Sequence, residues 1–192
     1  MARTKEFDET VVLEQALELF RARGFAHTSF SDLTSTLGIS RQSLYDTYGD
    51  KQTLFETALK RYMDRGIDAI RRTVEDPAPV REVLIRFFDL LIDGSCGNGS
   101  HGCLLVNSMV ELAPLDANTR AFAHQHARAV EQVLISRLTA AQREGEIATH
   151  KDPVVLAHFF YHTLLGMAVA ARALGERDTL RHSARMAIRC LD

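Results

Sequence analysis

From Pro79 onward the apolar residues fall at Val80, Val83, Leu84, Phe87, Phe88 and Leu91. This is the i, i+3, i+4, i+7, i+8, i+11 pattern of a helix with one buried face. A second helix repeats it with Phe122, His126, Ala129, Val130, Val133, Leu134 and Leu138. No segment keeps up the polar–apolar alternation of a half-buried strand, so no strands are expected. Stop signals divide the pattern. Gly24, Gly38 and Gly49 punctuate the first third, "EDPAP" (75–79) ends a long helix that starts near Lys51, and "APLDAN" (113–118) makes a turn. "GSCGNGSHG" (94–102) reads as a glycine-rich loop. In "HKDP" (150–153), Asp152 is placed to cap a helix whose first residue is Pro153. The expected fold is all-α, with about nine helices. Three short helices over residues 1–50 form a small domain, and a larger helical domain covers 51–192.

The stretch "TSFSDLTSTLGISRQSLYDTY" (28–48) has a finer organisation. Ser29 and Asp32 have the spacing of a capping box, and Leu33 and Leu37 give the first short helix one apolar face. Gly38 supplies a turn and Ile39 packs into it. Ser40 caps a second short helix, whose Leu44 and Tyr48 face inward at i and i+4. Two short helices around a glycine turn have the spacing of a helix-turn-helix. The second helix then presents Arg41 and Gln42 at its N-terminal end, where a DNA-reading helix meets base edges. Arg matches guanine O6 and N7, and Gln matches adenine, each with two hydrogen bonds. Tyr45 and Lys51 are placed for phosphate contacts, with Thr28 and Ser40 as further donors.

Charge makes this a local matter. The formal net charge is -2 and the sequence pI is about 6.4. A globally basic nucleic-acid binder lies well above that, so composition gives DNA binding no support and placement must carry it.

The segment "ALELFRARGFAHTSFSDLTSTLGISRQSLYDTYGDKQTLF" (16–55) resembles the TetR family of bacterial transcriptional regulators. The resemblance rests on Phe20, Gly24, Phe25, Thr28 before the second helix, Leu37-Gly38-Ile39-Ser40, Leu44-Tyr45, Lys51 and Leu54-Phe55. It implies a homodimer with two heads that bind double-stranded operator DNA, and a helical core that takes a small-molecule effector and releases the DNA. On matching positions the DNA contacts would be Thr28, Ser40, Arg41, Gln42, Ser43, Tyr45, Thr47 and Lys51. One departure stands out. Many members carry an aromatic and then a histidine after the tyrosine, whereas this chain has Asp46 and Thr47. A carboxylate there is repelled by phosphate unless it accepts from a cytosine amino group.

The segment "HGCLLVNSMVELAPLD" (101–116) is more loosely similar to a subgroup that includes electrophile- and copper-responsive repressors. In the electrophile-responsive members a cysteine near this position is the sensor. Cys103 falls where a helix begins, next to His101, and both features favour a thiolate. The bland reading is a small buried side chain. Cys96, in the loop, is a weak resolving partner and Cys190 a passive thiol. An apolar effector pocket could draw on Phe87, Leu91, Cys103, Met109, Phe122, His126, Phe159, His162, Thr163 and Met167.

His158 and His162 have an i, i+4 spacing that suits a metal, but no third ligand is fixed by spacing, so they are read as core or interface histidines. No metal and no cofactor are expected. The run 154–171 approaches membrane-spanning length, but His158, His162 and Thr163 interrupt it and it reads as a buried helix. With three cysteines, no CxxC pair and no apolar export segment, the chain reads as cytoplasmic. Gly166, Ala168, Ala170, Ala171 and Ala173, with the helix over 181–191, are expected to form the dimer contact. The competing classes are a helical enzyme or ligand carrier, and a structural interaction module. Against an enzyme, the sequence has no nucleophile–base–orienter set and no phosphate-binding glycine loop followed by lysine.

Overall fold

The computed structural model describes residues 7–96 and 101–192. Residues 97–100 of the glycine-rich segment lie outside the described residues, while Gly94 and Ser95 close the helix before it. Among the described residues there are nine α-helices and no strands. They are α1 (Glu9–Arg23), α2 (Phe30–Leu37), α3 (Arg41–Tyr48), α4 (Lys51–Val74), α5 (Val80–Ser95), α6 (Leu104–Glu111), α7 (Ala117–Arg143), α8 (Pro153–Leu174) and α9 (Arg177–Ile188), followed by a single 3₁₀ turn, Arg189–Leu191.

Six of these helices start on a side chain that takes up an otherwise unpaired amide. Asp8, Ser29, Ser40, Asp50, Asp116 and Asp152 cap α1, α2, α3, α4, α7 and α8. The Ser29–Asp32 capping box is complete, and Pro153 opens α8. The start of α5 has no local cap, because Pro79 precedes it. Its Val80 amide donates instead to the Glu146 carboxylate at 2.6 Å, from the turn between α7 and α8.

Apolar burial gathers into two cores. The first holds Val12, Leu13, Leu17 and Phe20 of α1, Leu33, Leu37 and Leu44 of α2 and α3, Leu54 to Met63 of α4, and Leu104 and Leu105 of α6. The second is built from α5, α7, α8 and α9 around Phe87, Phe88, Leu134 and Phe160, and includes Val74 at the far end of α4. A boundary at residue 50 therefore cuts the first core. The N-terminal half of α4 carries five of its buried side chains, Leu54, Phe55, Ala58, Leu59 and Met63. Without them the apolar faces of α1 to α3 lose most of what they close against, leaving Leu104 and Leu105 of α6.

By length and composition α8 is long and apolar enough to cross a membrane, with a mean hydropathy of 1.7 over 18 residues. His158, His162 and Thr163 do not take it below that threshold, contrary to the sequence reading. Its setting is nonetheless that of a core helix packed against α5, α6, α7 and α9. Val155, Phe159 and Val169 remain exposed on α8, and Met186 on α9. The small residues divide accordingly. Ala168 and Ala171 are buried within the chain's own bundle, while Gly166 and Ala173 stay exposed.

Candidate DNA-reading face and effector cavity

The turn between α2 and α3 depends on Gly38, whose φ of +64° lies in the left-handed region. Its N–H closes α2 on the Thr34 carbonyl, and the chain leaves at an angle set by Ile39 and Ser40. Leu33, Leu37 and Leu44 are buried beneath, so the opposite face of α3 is held outward. Arg41, Gln42, Tyr45 and Asp46 are exposed, and Ser43 and Thr47 are half-buried. Ser40 Oγ accepts the Ser43 amide at 3.0 Å and lies 2.9 Å from the Ser43 hydroxyl.

Two side-chain arrangements organise this face. The Phe30 and Tyr45 rings stack in parallel, with centroids 5.2 Å apart and planes 2° from each other. The Arg41 guanidinium lies 5.2 Å from the first ring and 5.9 Å from the second. Cation–π attraction thus confines a long side chain that would otherwise sweep through solvent. Phe30, the first residue of α2, was not singled out from the sequence. The second arrangement is a hydrogen bond from Gln42 Nε2 to Asp46 Oδ1 at 2.7 Å, one helical turn along the same face.

Two residues expected to touch phosphate are committed elsewhere. Thr28 is fully buried and its hydroxyl donates to the Gly24 carbonyl at 2.6 Å. Lys51 Nζ donates to the carbonyls of Phe25 and Thr28, both at 2.9 Å, and lies 4.1 Å from the Phe25 ring. These contacts brace the link between α1 and α2, where the Phe25 carbonyl also accepts the Thr28 amide at 3.3 Å. The sequence placed both residues near the right surface but could not show that their polar atoms turn inward.

The head is also tied to α6. The Glu111 carboxylate accepts from the Ala26 amide at 2.7 Å and the Phe25 amide at 3.2 Å. Gly24 leaves room for it, since a β-carbon there would come within 2.7 Å of Glu111 Oε2, and the φ of +81° independently favours glycine. At the other end of α6, Arg21 of α1 donates to the Gly102 carbonyl at 2.6 Å and to the Gly94 carbonyl at 2.5 Å. Arg21 therefore bridges the two ends of the glycine-rich segment.

Between α1, α4, α5, α6, α7 and α8 lies a cavity of about 360 Å³. Four of the expected residues line it: Phe87, Leu91, Cys103 and His126. Its other walls are Leu17 of α1, Tyr62, Met63, Gly66 and Ile70 of α4, Leu105 of α6 and Leu164 of α8, with Glu14, Glu18 and Arg65 contributing charge. Arg65 and Arg61 bond to Glu14, and the Arg65 hydrogen bond heads the causes that hold this carboxyl below the usual range. The remaining expected residues are elsewhere. Met109 and His162 line a separate groove with Arg120, Arg128 and Glu131. Phe122 packs against the head-side core, and Met167 is buried in the larger one. Phe159 is exposed to solvent and Thr163 is half-buried, and neither lines this cavity. Neighbouring residues of one helix point in different directions, and α8 shows the cavity only Leu164.

The cavity's polar groups are few. His126 Nδ1 is 3.3 Å from the Tyr161 hydroxyl, and burial pulls the imidazole pKa down to about 4, so it is neutral near pH 7. Burial pushes the Tyr62 hydroxyl up, and its hydrogen bond with Cys103 adds to that. Cys103 is the N-cap residue of α6, half-buried, one position before the helix. Cys96 is not a loop thiol: it is buried at the C-terminal end of α5, where burial raises its pKa. Cys190 is half-buried, with its thiol raised in the same way. His158 approaches Glu131 at 3.8 Å, and the described residues contain no group of three or more His, Cys, Asp or Glu side chains able to hold a metal.

The comparisons agree with this architecture. Residues 12–58 match the family model for bacterial regulatory proteins of the tetR family, and residues 81–187 match a tetracyclin repressor-like C-terminal domain. YezE of Bacillus subtilis (strain 168), an uncharacterized HTH-type transcriptional regulator, is 31% identical over the full length of both chains. The HTH-type transcriptional repressor ComR of Escherichia coli (strain K12) is 30% identical over 88% of this chain and 82% of its own. Among solved structures, a cysteine mutant of the TetR family regulator CifR, complexed with 26-base-pair double-strand operator DNA, superimposes with a TM-score of 0.88. It is 23% identical over the whole of both chains. The helix-turn-helix head and the larger helical core define one class: the chain belongs to the TetR family. It is a transcriptional regulator that binds DNA, and not an enzyme.

Two outcomes follow from the geometry. Lys51→Met removes two charge-assisted bonds from the head and should cost about 1–3 kcal/mol of stability. It should weaken binding to all DNA alike without changing the slope of log K against log salt. A slope smaller by roughly one would instead mark Lys51 as a phosphate contact. The second concerns acid. An unfolded histidine accepts a proton near pH 6.5, whereas His126 in the fold does so near 4. Between those values the unfolded chain binds more protons, so stability falls as pH drops from about 6.5 to 4, by up to about 3 kcal/mol. Urea unfolding across that range, compared with His126→Gln, measures this contribution; equal pH slopes would refute it.

Proposed function

We propose that the chain is a cytoplasmic repressor that binds double-stranded operator DNA as a homodimer and releases it when a small molecule fills the cavity. The observation that carries this reading is the course of α4. It starts at Lys51 beneath the reading head and, about three turns on, lines the cavity with Tyr62, Met63 and Gly66. A ligand pressing on those residues acts on a helix whose other end is packed under α3. Ser40, Arg41, Gln42, Ser43, Tyr45 and Thr47 are the DNA contacts of this reading, with Arg41 at base edges.

The homodimer is supported by the exposed apolar side chains of α8 and α9, which a second copy would cover. Two heads must fit half-sites about one helical turn of DNA apart, or a multiple of it, so a shift of a few ångströms between them spoils binding. The complex of the CifR mutant with 26-base-pair operator DNA supports double-stranded DNA as the partner. Light scattering should give a dimer at micromolar concentration, and DNA selection with the full chain should return a two-fold symmetric site. Arg41→Ala should weaken that site by about 1–3 kcal/mol and relax the preference at one base position per half. An unchanged preference would remove Arg41 from base reading.

The effector is apolar for most of its surface, because the cavity wall is, with the Tyr62 hydroxyl and neutral His126 as polar handles. A second reading is favoured by Cys103, whose thiol lines the same cavity: an electrophile adds covalently to it. A maleimide should then label Cys103 before Cys190 and release DNA, and Cys103→Ser should bind DNA but lose that release. Mass spectrometry showing Cys103 unmodified while Cys190 reacts would leave only the reversible ligand.

A further inference from the structure

We propose that Asp46 is a specificity-determining residue of the reading helix. It obliges the operator to place an amino-bearing base, cytosine foremost, opposite the second turn of α3. The inference rests on α3 being the DNA-reading helix and adds which base it selects and by what chemistry.

Asp46 is exposed on the face that carries Arg41, Gln42 and Tyr45. Its Oδ1 takes the Gln42 amide N–H at 2.7 Å, so the two side chains act as one unit. Counting what that bond leaves over gives the unit its character. Asp46 retains Oδ2, and Gln42 retains Oε1 and one N–H. The unit is therefore rich in acceptors and carries a full negative charge. In the major groove only two groups donate, the N4 amino of cytosine and the N6 amino of adenine. Guanine presents N7 and O6, and thymine presents O4, all acceptors that face a carboxylate unfavourably. Asp46 thus works mainly by refusal. It is repelled by phosphates everywhere and by two of the four bases, and it is compensated only where an amino group meets it.

Arg41 has the opposite demand. Its guanidinium only donates, so it seeks the acceptors of guanine. About one and a half turns of helix separate the two residues, and Phe30 and Tyr45 hold Arg41 in place. The reading face is polarised, donor at its N-terminal end and acceptor in its middle. Since Arg41 is the single cation in α3 and Asp46 the single anion, the helix has no net side-chain charge with which to bind DNA indiscriminately.

The test is selection from a randomised duplex pool by the full-length wild type, Asp46→Asn, Asp46→Ala and Gln42→Ala, with affinity for an unrelated duplex measured at the same salt concentration. Wild type should require cytosine, or adenine in second place, at one position in each half-site. Asn can donate as well as accept, so Asp46→Asn should admit thymine or guanine there. The preference ratio should drop about fivefold to a hundredfold. Both Asp46 variants should bind the unrelated duplex more tightly than wild type. Gln42→Ala should keep the amino-base preference, which separates Asp46 from its partner. Thermal melts of the variants matching wild type exclude a folding defect. The same preference at every position in wild type and both Asp46 variants would overturn the proposal while leaving operator binding intact. Enrichment of no sequence by wild type would overturn the operator-binding reading and the proposal with it.

Discussion

A single helix buried in two cores is the constraint on which the rest of the structure depends. Leu54 to Met63 of α4 close the core of the head, and Val74 enters the core of the larger bundle. An α-helix of 24 residues is about 36 Å long and resists bending, since each turn is held by its own hydrogen bonds. Buried side chains at both ends cannot shift independently without opening a void. The two cores are therefore coupled through a rod, and the cavity lies along the middle of that rod. The head does not rely on α4 alone. Glu111 and Arg21 tie α6 to it at both ends through bonds to backbone groups, and Cys103 and Leu105 of the same segment line the cavity. The cavity thus touches both connections to the head.

The division of labour around α3 follows from where polar groups find partners. Thr28 and Lys51 bond to carbonyls of the link between α1 and α2, and these bonds help hold the head together. Arg41, Gln42 and Asp46 pair only with neighbours on the exposed face, which leaves part of their bonding capacity for a partner. Phe30 belongs to this second group in effect. It packs under Arg41 and fixes the direction of the guanidinium without itself being able to read a base.

What the sequence made legible was mostly local. Helix starts could be read at Ser29, Ser40 and Asp152, because a cap and its amide are at most three residues apart. The Gly38 turn was readable because only one backbone conformation serves it. The inward turn of Lys51 was not, since its partners are 23 and 26 residues away and its charge looks the same on either side of the chain. The cavity was half legible for a similar reason. Periodicity marks Phe87 and His126 as inward-facing, but inward toward what depends on the tertiary arrangement. The contribution of α1 was missed because that helix looked like part of the head, and that of α4 because its pattern does not tell which face meets the cavity. Phe159 was misplaced because a helix apolar on several faces does not tell which face meets its own bundle. The membrane-like hydropathy of α8 has the same origin, since it must serve an interior on one side and retains Val155, Phe159 and Val169 on another.

The charge balance ties the head to the need for a second copy. A chain with a net charge of -2 gains little from long-range attraction to DNA, and its reading helix carries one cation against one anion. A single head can then bind only through a few well-placed contacts, and eight residues of helix span about 12 Å, enough for a few base pairs. Joining two such heads makes the second contact intramolecular, and affinity rises without any added positive charge. The gain exists only while the spacing of the heads matches that of the half-sites. In the proposed dimer, heads held by few contacts make binding responsive to small displacements of α4 and α6. A strongly basic head would hold its DNA through the same displacement, so in the proposed function the near-neutral charge of α3 and release by a cavity ligand belong together.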